Sequence, residues 1–271
     1  MLAYKKDFCS VCQVCDACLM GKKQKSHMPR PSLYGFHAVR EAWLNDERRI
    51  EALLITKQAT SGFEQTLVEA ERAGIHRPAP MIVDKDTLEK ALPRGAVHQG
   101  LGLACSDLPE KDIQDLIIAN EHEDRVCLVI LDQVTDPHNV GAILRSACAF
   151  GAKGMIMQKK HAPEMTGALA KAACGALEHV PVAFETNLSR SIEALQEAGY
   201  FVYGLDERGE EVQTVDFSAK NALVLGAEGP GMRRLVKDHC DVLVRLPMHG
   251  PMPSINVSNA AAVALHEIAK T

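Results

Sequence analysis

From residue 125 onward, short apolar runs alternate with stretches of helical periodicity, and this alternation most limits the folds open to the chain. Arg125 to Leu131 is a continuous apolar run of the type that forms a parallel strand buried on both faces. Thr135 or Asp136 can cap the helix that follows, with Pro137 in its first turn. Val140, Ile143, Leu144, Ala147 and Phe150 then recur at helical spacing, and Gly151 closes the helix. Further strands are expected at 154–157, 181–184, 200–205, 222–225 and 242–246, with helices at 166–175, 188–198, 229–238 and 259–268. The pattern predicts an α/β domain built on a parallel sheet covered on both faces. Ligands of such sheets bind beyond the carboxyl ends of the strands.

Ahead of this domain, a smaller α/β unit is expected. Its helices fall at 35–45, 62–74 and 85–92, its strands at 50–56, 79–83 and 101–105, with a loop at 94–100. The expected organisation is a tail over 1–31, a small domain over 32–106, a connection over 107–124 and the larger domain over 125–271. With 271 residues, two domains are more natural than one.

Three segments of the larger domain share one design, an apolar strand, then a polar loop bearing Gly or Pro, then a helix. They centre on Asp136 to Arg145, on Gly226 to Gly231, and on Leu246 to Ser258. Fixed-φ prolines and permissive glycines shape such loops to present backbone amides and carbonyls to a ligand. All three lie at expected strand carboxyl ends, so they can converge on one site.

No apolar run is long enough to span a bilayer, and Met1 to Met20 lacks the clean apolar core of a signal peptide, so a cytoplasmic location is expected. The net charge of −5 leaves a nucleic-acid partner open, because phosphate contacts need only a local basic patch. Patches of that kind occur at Lys22, Lys23 and Lys25, at Lys159 to His161, and at Arg233, Arg234 and Lys237; each reads equally as a solvated charged face. Of nine cysteines, Cys105, Cys127, Cys148, Cys174 and Cys240 sit singly in apolar surroundings and read as core. Cys9, Cys12, Cys15 and Cys18 are spaced by two residues, which fits neither the usual iron–sulfur run nor paired zinc ligands, and no metal is expected. The residues before Met28 read as a disordered tail or an upstream extension.

The glycines of 226–231 have the wrong spacing for a dinucleotide fingerprint, and no phosphate-binding loop, serine-hydrolase elbow or zinc-protease motif occurs. Glu228, between glycines at a strand end, can either accept from a substrate hydroxyl or cap the helix expected at 229–238. Arg145 interrupts an apolar helix face and must reach the surface or meet an anion, with Asn139 upstream beside the same ligand.

Taken together, Asp136 to Ala147, Leu225 to Met232, and Leu246 to Ser258 resemble the three motifs of the SpoU family of RNA ribose 2′-O-methyltransferases, within the SPOUT class. The resemblance runs from about Ser32 to the end. Tyr34 to Ala42, Ile50 to Ile55 and Val97 to Gly100 are similar to the family's accessory RNA-binding domain. Within the family the chain most resembles bacterial enzymes that methylate a guanosine of large-subunit ribosomal RNA. Gly250 to Pro253 departs from the usual small polar residues, and the cysteine tail lies outside the pattern.

The resemblance implies a trefoil-knotted catalytic domain, a small N-terminal α/β domain of ribosomal-protein type, a homodimer with sites near the subunit interface, and S-adenosylmethionine held in the knot largely by backbone groups. It implies Gly226, Leu246 and Ile255 as cofactor positions and Arg145 as the catalytic residue, with Asn139, Glu228, Ser254 and Asn256 orienting it and the ribose. Alternatives of other kinds are the same chemistry on transfer RNA and a non-catalytic, ribosome-associated RNA-binding protein.

Overall fold

The structure, a computed structural model, describes residues 28–270. Cys9, Cys12, Cys15, Cys18 and the lysines at 22, 23 and 25 lie outside the described residues. Pro31, expected at the end of the tail, is buried beside Gly102.

The first sheet is formed by β1 (Leu33–Tyr34), β2 (Ile50–Thr56), β3 (Met81–Val83) and β4 (Leu101–Cys105) in the order β1-β4-β2-β3. β4 runs antiparallel to β1 and β2, whereas β2 and β3 are parallel. Around it lie α1 (Phe36–Leu44), α2 (Lys57–Arg72) and α3 (Lys85–Ala91). The two-residue β1 has no periodicity to read and was not expected. A capping box between Asp112 and Asp115 then starts α4 (Ile113–Ala119), the one helix of the connecting segment.

The second sheet carries β5 (Val126–Asp132), β6 (Gly154–Gln158), β7 (Val182–Glu185), β8 (Phe201–Glu211), β9 (Lys220–Gly226) and β10 (Val242–Arg245). Their order is β10-β8-β9-β5-β6-β7 and every pairing is parallel. Alternate residues of the central strand β5 serve opposite faces, which is why its sequence is apolar without interruption. Val129 and Leu131 join a core with α5 (Pro137–Ala149), α6 (Gly167–Ala173) and α9 (Val257–Lys270). Leu128 and Ile130 join a second core with α4, α7 (Leu188–Glu197) and α8 (Arg234–Asp238). Asp136 caps α5 by accepting from His138 N at 3.1 Å, with Pro137 in the first turn.

In the larger domain β8 runs on to Glu211, past the expected end at 205, and two helices change. The helix expected at 229–238 forms only over Arg234–Asp238, because Gly229 (φ 82°) and Gly231 (φ 69°) take left-handed backbone and close a turn in which Gly231 N donates to Ala227 O at 3.0 Å. The final helix begins earlier than expected, at Val257.

The two α/β units meet through a shared core in which Ala38, Val39 and Trp43 of α1 join Leu169, Ala170 and Ala173 of α6. At its edge, Arg48 and Glu178 form an ion pair at 2.9 Å with side chains only 3% and 2% exposed. Arg48 Nε donates to both Glu178 oxygens, at 3.1 and 3.0 Å, Arg48 Nη1 donates to Ser106 O at 2.6 Å, and Asn45 Nδ2 donates to Glu178 Oε2 at 2.8 Å. So many partners satisfy the buried charges that the pair is tolerated inside the protein. Gly175 lets α1 approach: a Cβ there would collide with the Glu41 side chain.

The single cysteines all remain free and half-buried. Burial pushes the Cys127 and Cys240 thiols up to about 12, so neither is a nucleophile at neutral pH.

Candidate active site

The three polar loops leave β5, β9 and β10. β5 and β9 are neighbours, but β10 is at the sheet edge, two strands from β9. Residues 246–256 therefore carry the chain from the edge, across the carboxyl ends of β8 and β9, to the start of α5.

The loops are tied by one carboxylate. Glu228 Oε1 accepts from Asn139 Nδ2 at 3.3 Å, from Asn256 Nδ2, and from Val257 N at 3.3 Å. Asn256 Nδ2 also reaches Asn139 Oδ1 at 3.0 Å, and Asn256 Oδ1 accepts from Ser258 N at 2.9 Å. Asn256 thus caps α9 with its own side chain, while Glu228 adds a negative charge at the same helix start. Glu228 is a helix-capping residue, but of α9 rather than of the helix that follows it in sequence. Among the described residues Glu228 Oε2 has no hydrogen-bond partner, which leaves an acceptor for a hydroxyl.

Two further sequence candidates stand apart from this network. Arg145 lies six residues beyond Asn139, which on an α-helix is about a third of a turn away in direction. Its Nη1 meets Cys174 Sγ at 3.5 Å, at the end of α6. Ser254 is exposed and joins none of these hydrogen bonds.

Of the three cofactor candidates, Gly226 ends β9, Leu246 follows β10 and is half-buried, and Ile255 is 41% exposed just before α9. A Cβ on Gly226 would collide with the backbone of Gly231 and Met232, so only glycine permits the loop to fold back. Among the described residues the backbone of 247–255 makes no hydrogen bond. A loop of unpaired amides and carbonyls flanked by Leu246 and Ile255 offers a ligand backbone hydrogen bonds beside apolar side chains.

Asp132 was not singled out by sequence. It is 0% exposed at the end of β5, where it accepts from Arg233 N at 2.7 Å and Arg233 Nε at 2.8 Å. It pins the second polar loop against the strand that feeds the first. The available signal was a lone charge ending a fully apolar strand, which must find a partner. The same bonds remove Arg233 from the basic patch expected there, and Lys237 is paired with Asp206. Arg234, with its side chain 93% exposed, is the member most open to solvent, although it too meets a carboxylate, Asp238 at 3.5 Å. Lys159 pairs with Glu110 at 3.3 Å.

A cleft of about 790 Å³ opens between the two units, lined by Arg48, Asp107 to Lys111, Lys159 and Ala162 to Thr166. It shares no residue with the three loops.

Comparison with known proteins agrees with this arrangement. Residues 126–266 match the profile of the SpoU rRNA Methylase family, and residues 32–110 match that of an RNA 2′-O ribose methyltransferase substrate-binding domain. The 23S rRNA (guanosine-2′-O-)-methyltransferase RlmB of Haemophilus influenzae is 39% identical over 245 residues, covering 88% of this chain and 96% of that protein. An uncharacterized tRNA/rRNA methyltransferase of Synechocystis is 36% identical over 87% of this chain, which spans only 61% of its length. Among solved structures, the SpoU methyltransferase AviRb from Streptomyces viridochromogenes, in complex with AdoMet, superposes with a TM-score of 0.70 at 26% identity, over 88% of each chain.

Proposed function

The chain belongs to the SpoU rRNA methylase family, and on that premise we propose that it transfers the methyl group of S-adenosylmethionine to the ribose 2′-hydroxyl of a guanosine in 23S ribosomal RNA. The observation that carries this reading is the convergence of all three polar loops on Glu228. The named activity of the RlmB relatives supports the guanosine and the ribosomal target.

S-adenosylmethionine, when bound, supplies an activated methyl group. Gly226, Leu246 and Ile255 would hold it, through backbone groups and apolar contact. A ribose hydroxyl is a weak nucleophile, so the protein's part is to align it and stabilise the charge developing on its oxygen. Arg145 keeps its proton, so it acts as a positive charge that lowers the effective pKa of the hydroxyl and holds a neighbouring phosphate rather than as a lone base. The free Oε2 of Glu228 accepts from the ribose, and Asn139 and Asn256 keep that carboxylate in place. Ser254 lies on the same loop and orients the ribose once RNA is bound.

The working unit in this reading is a cytoplasmic homodimer with knotted catalytic domains. Val263 on α9 is 43% exposed, an apolar side chain that a second copy would cover. The separation of Arg145 from the Glu228 network supports a site completed near the subunit interface.

The test is transfer of labelled methyl from S-adenosylmethionine to deproteinised ribosomal and transfer RNA, followed by mapping of the modified ribose. Incorporation at one guanosine of the large-subunit RNA is expected. Incorporation into transfer RNA alone would overturn the target, and cofactor binding without transfer to any RNA would overturn the reaction.

A further inference from the structure

We propose that Lys171 is a substrate-binding residue, a cation on α6 that grips an RNA backbone phosphate next to the target ribose from the seam between the two domains. The inference rests on the methyltransferase reading above.

The side chain crosses the seam. Lys171 Nζ donates to Gln99 Oε1 at 2.8 Å, and the same oxygen accepts from Phe36 N at 3.0 Å at the start of α1. Gln99 holds that position with left-handed backbone (φ 53°), a conformation uncommon outside glycine. The lysine end packs directly on Gly35, whose absent Cβ would lie 2.7 Å from Lys171 Cδ and Nζ. The smaller domain thus aims the ammonium without neutralising it.

Several cations share that lack of a carboxylate partner, Arg77 and Lys220 among them with hydrogen bonds to backbone carbonyls, so it is position that singles out Lys171. Arg40, Arg48, Arg233, Lys237, Lys159 and Arg245 all pair with carboxylates. Among the described residues the partner of Lys171 is a neutral amide, and that of Arg145 is the sulfur of Cys174. Cys174 lies one helical turn beyond Lys171, whose carbonyl accepts from Cys174 N at 3.3 Å. Lys171 and Arg145, neither facing a carboxylate, therefore share one corner of the molecule. Their spacing is fixed by α5 against α6, where a Cβ on Gly141 would lie 2.7 Å from Ala172 Cβ. Two positive charges without carboxylate partners, Arg145 against Cys174 and Lys171 one turn of α6 before Cys174, suit successive phosphates of one RNA strand.

The decisive variants are Lys171→Gln, which keeps an N–H for Gln99 but removes the charge, and Lys171→Arg, which restores it. Binding of a labelled fragment of large-subunit ribosomal RNA is measured against salt concentration, with cofactor affinity and steady-state kinetics alongside. For Lys171→Gln the slope of log K against log salt is expected to become shallower by about 0.7 to 0.9. KM for RNA should rise by roughly 3- to 10-fold with kcat within about twofold and cofactor affinity unchanged. Lys171→Arg should recover both slope and KM. Gln99→Leu, which cuts the staple and keeps the cation, should retain the wild-type slope. An unchanged slope and KM in Lys171→Gln, with active wild type, would overturn this inference alone. Equal losses in Lys171→Gln and Gln99→Leu would overturn it too, marking Lys171 as a staple only. Inactive wild-type protein would instead strike the underlying reading.

Discussion

The domain seam and the three-loop site both bring charged groups from distant parts of the chain together, but in opposite ways. At the seam, Arg48 and Glu178 are almost wholly buried and each charge meets several partners. At the loops, Glu228 is exposed, uses one oxygen for three donors and leaves the other open, while Arg145 meets only sulfur. Complete satisfaction makes a joint; incomplete satisfaction in solvent leaves capacity for a ligand.

The largest effect is expected at the seam. Glu178→Ala leaves Arg48 buried without its counter-charge, a loss of about 3–5 kcal/mol. Thermal unfolding should show Tm lowered by roughly 6–20 °C. A loss below about 1 kcal/mol would mean that water reaches the pair, and the contrast between the two regions would collapse. Arg145→Ala should act in the reverse sense, with Tm within about 2 °C of wild type and single-turnover methyl transfer down by about 10²- to 10³-fold. Retention of most of the rate with cofactor bound would remove Arg145 from the reaction.

Glu228→Gln sharpens the comparison inside the site, because the amide oxygen still accepts from Asn139, Asn256 and Val257 while the charge is gone. A fall of about 10- to 100-fold in kcat/KM with little change in Tm is expected. If instead only Tm falls, Glu228 is a cap of α9 and nothing more.

The smallest effect concerns acid. Burial pushes the Asp206 carboxyl up, but the Lys237 ammonium and the Arg208 amide outweigh it and hold the carboxyl below its ordinary range. Because the folded value is depressed, the stability Asp206 contributes is fully present above the unfolded value of about 3.9 and disappears as pH falls through the folded value. Urea unfolding of Lys237→Met beside wild type should therefore differ by about 1 kcal/mol near neutrality. The difference should close as pH falls through the depressed folded value. A gap that persisted at low pH would place the contribution of Lys237 in packing rather than in charge.

How much of this was legible varies by residue. Asn139, Glu228 and Asn256 were singled out in three separate strand–loop–helix segments, and the fold joins all three. Arg145 was singled out with them and stands on another side of α5. Asp132 and Arg233 are 101 residues apart, and no local pattern links them beyond a charge at the end of an apolar strand. The short α8 shows a conflict settled by glycine: apolar spacing allowed a helix from Gly229, and left-handed backbone at Gly229 and Gly231 delayed it to Arg234.

The sequence by itself determined the parallel sheet, since strand and helix periods arise from backbone geometry within a few residues and burial on both faces demands unbroken apolar runs. It also determined the three loops, because proline and glycine act on their own φ angles. Only the tertiary structure decided which oxygen of Glu228 stays open, where Arg145 points, and that Arg48 finds Glu178 across 130 residues. Such pairings depend on how whole elements pack, and a charge far away in sequence leaves no periodic trace of its partner.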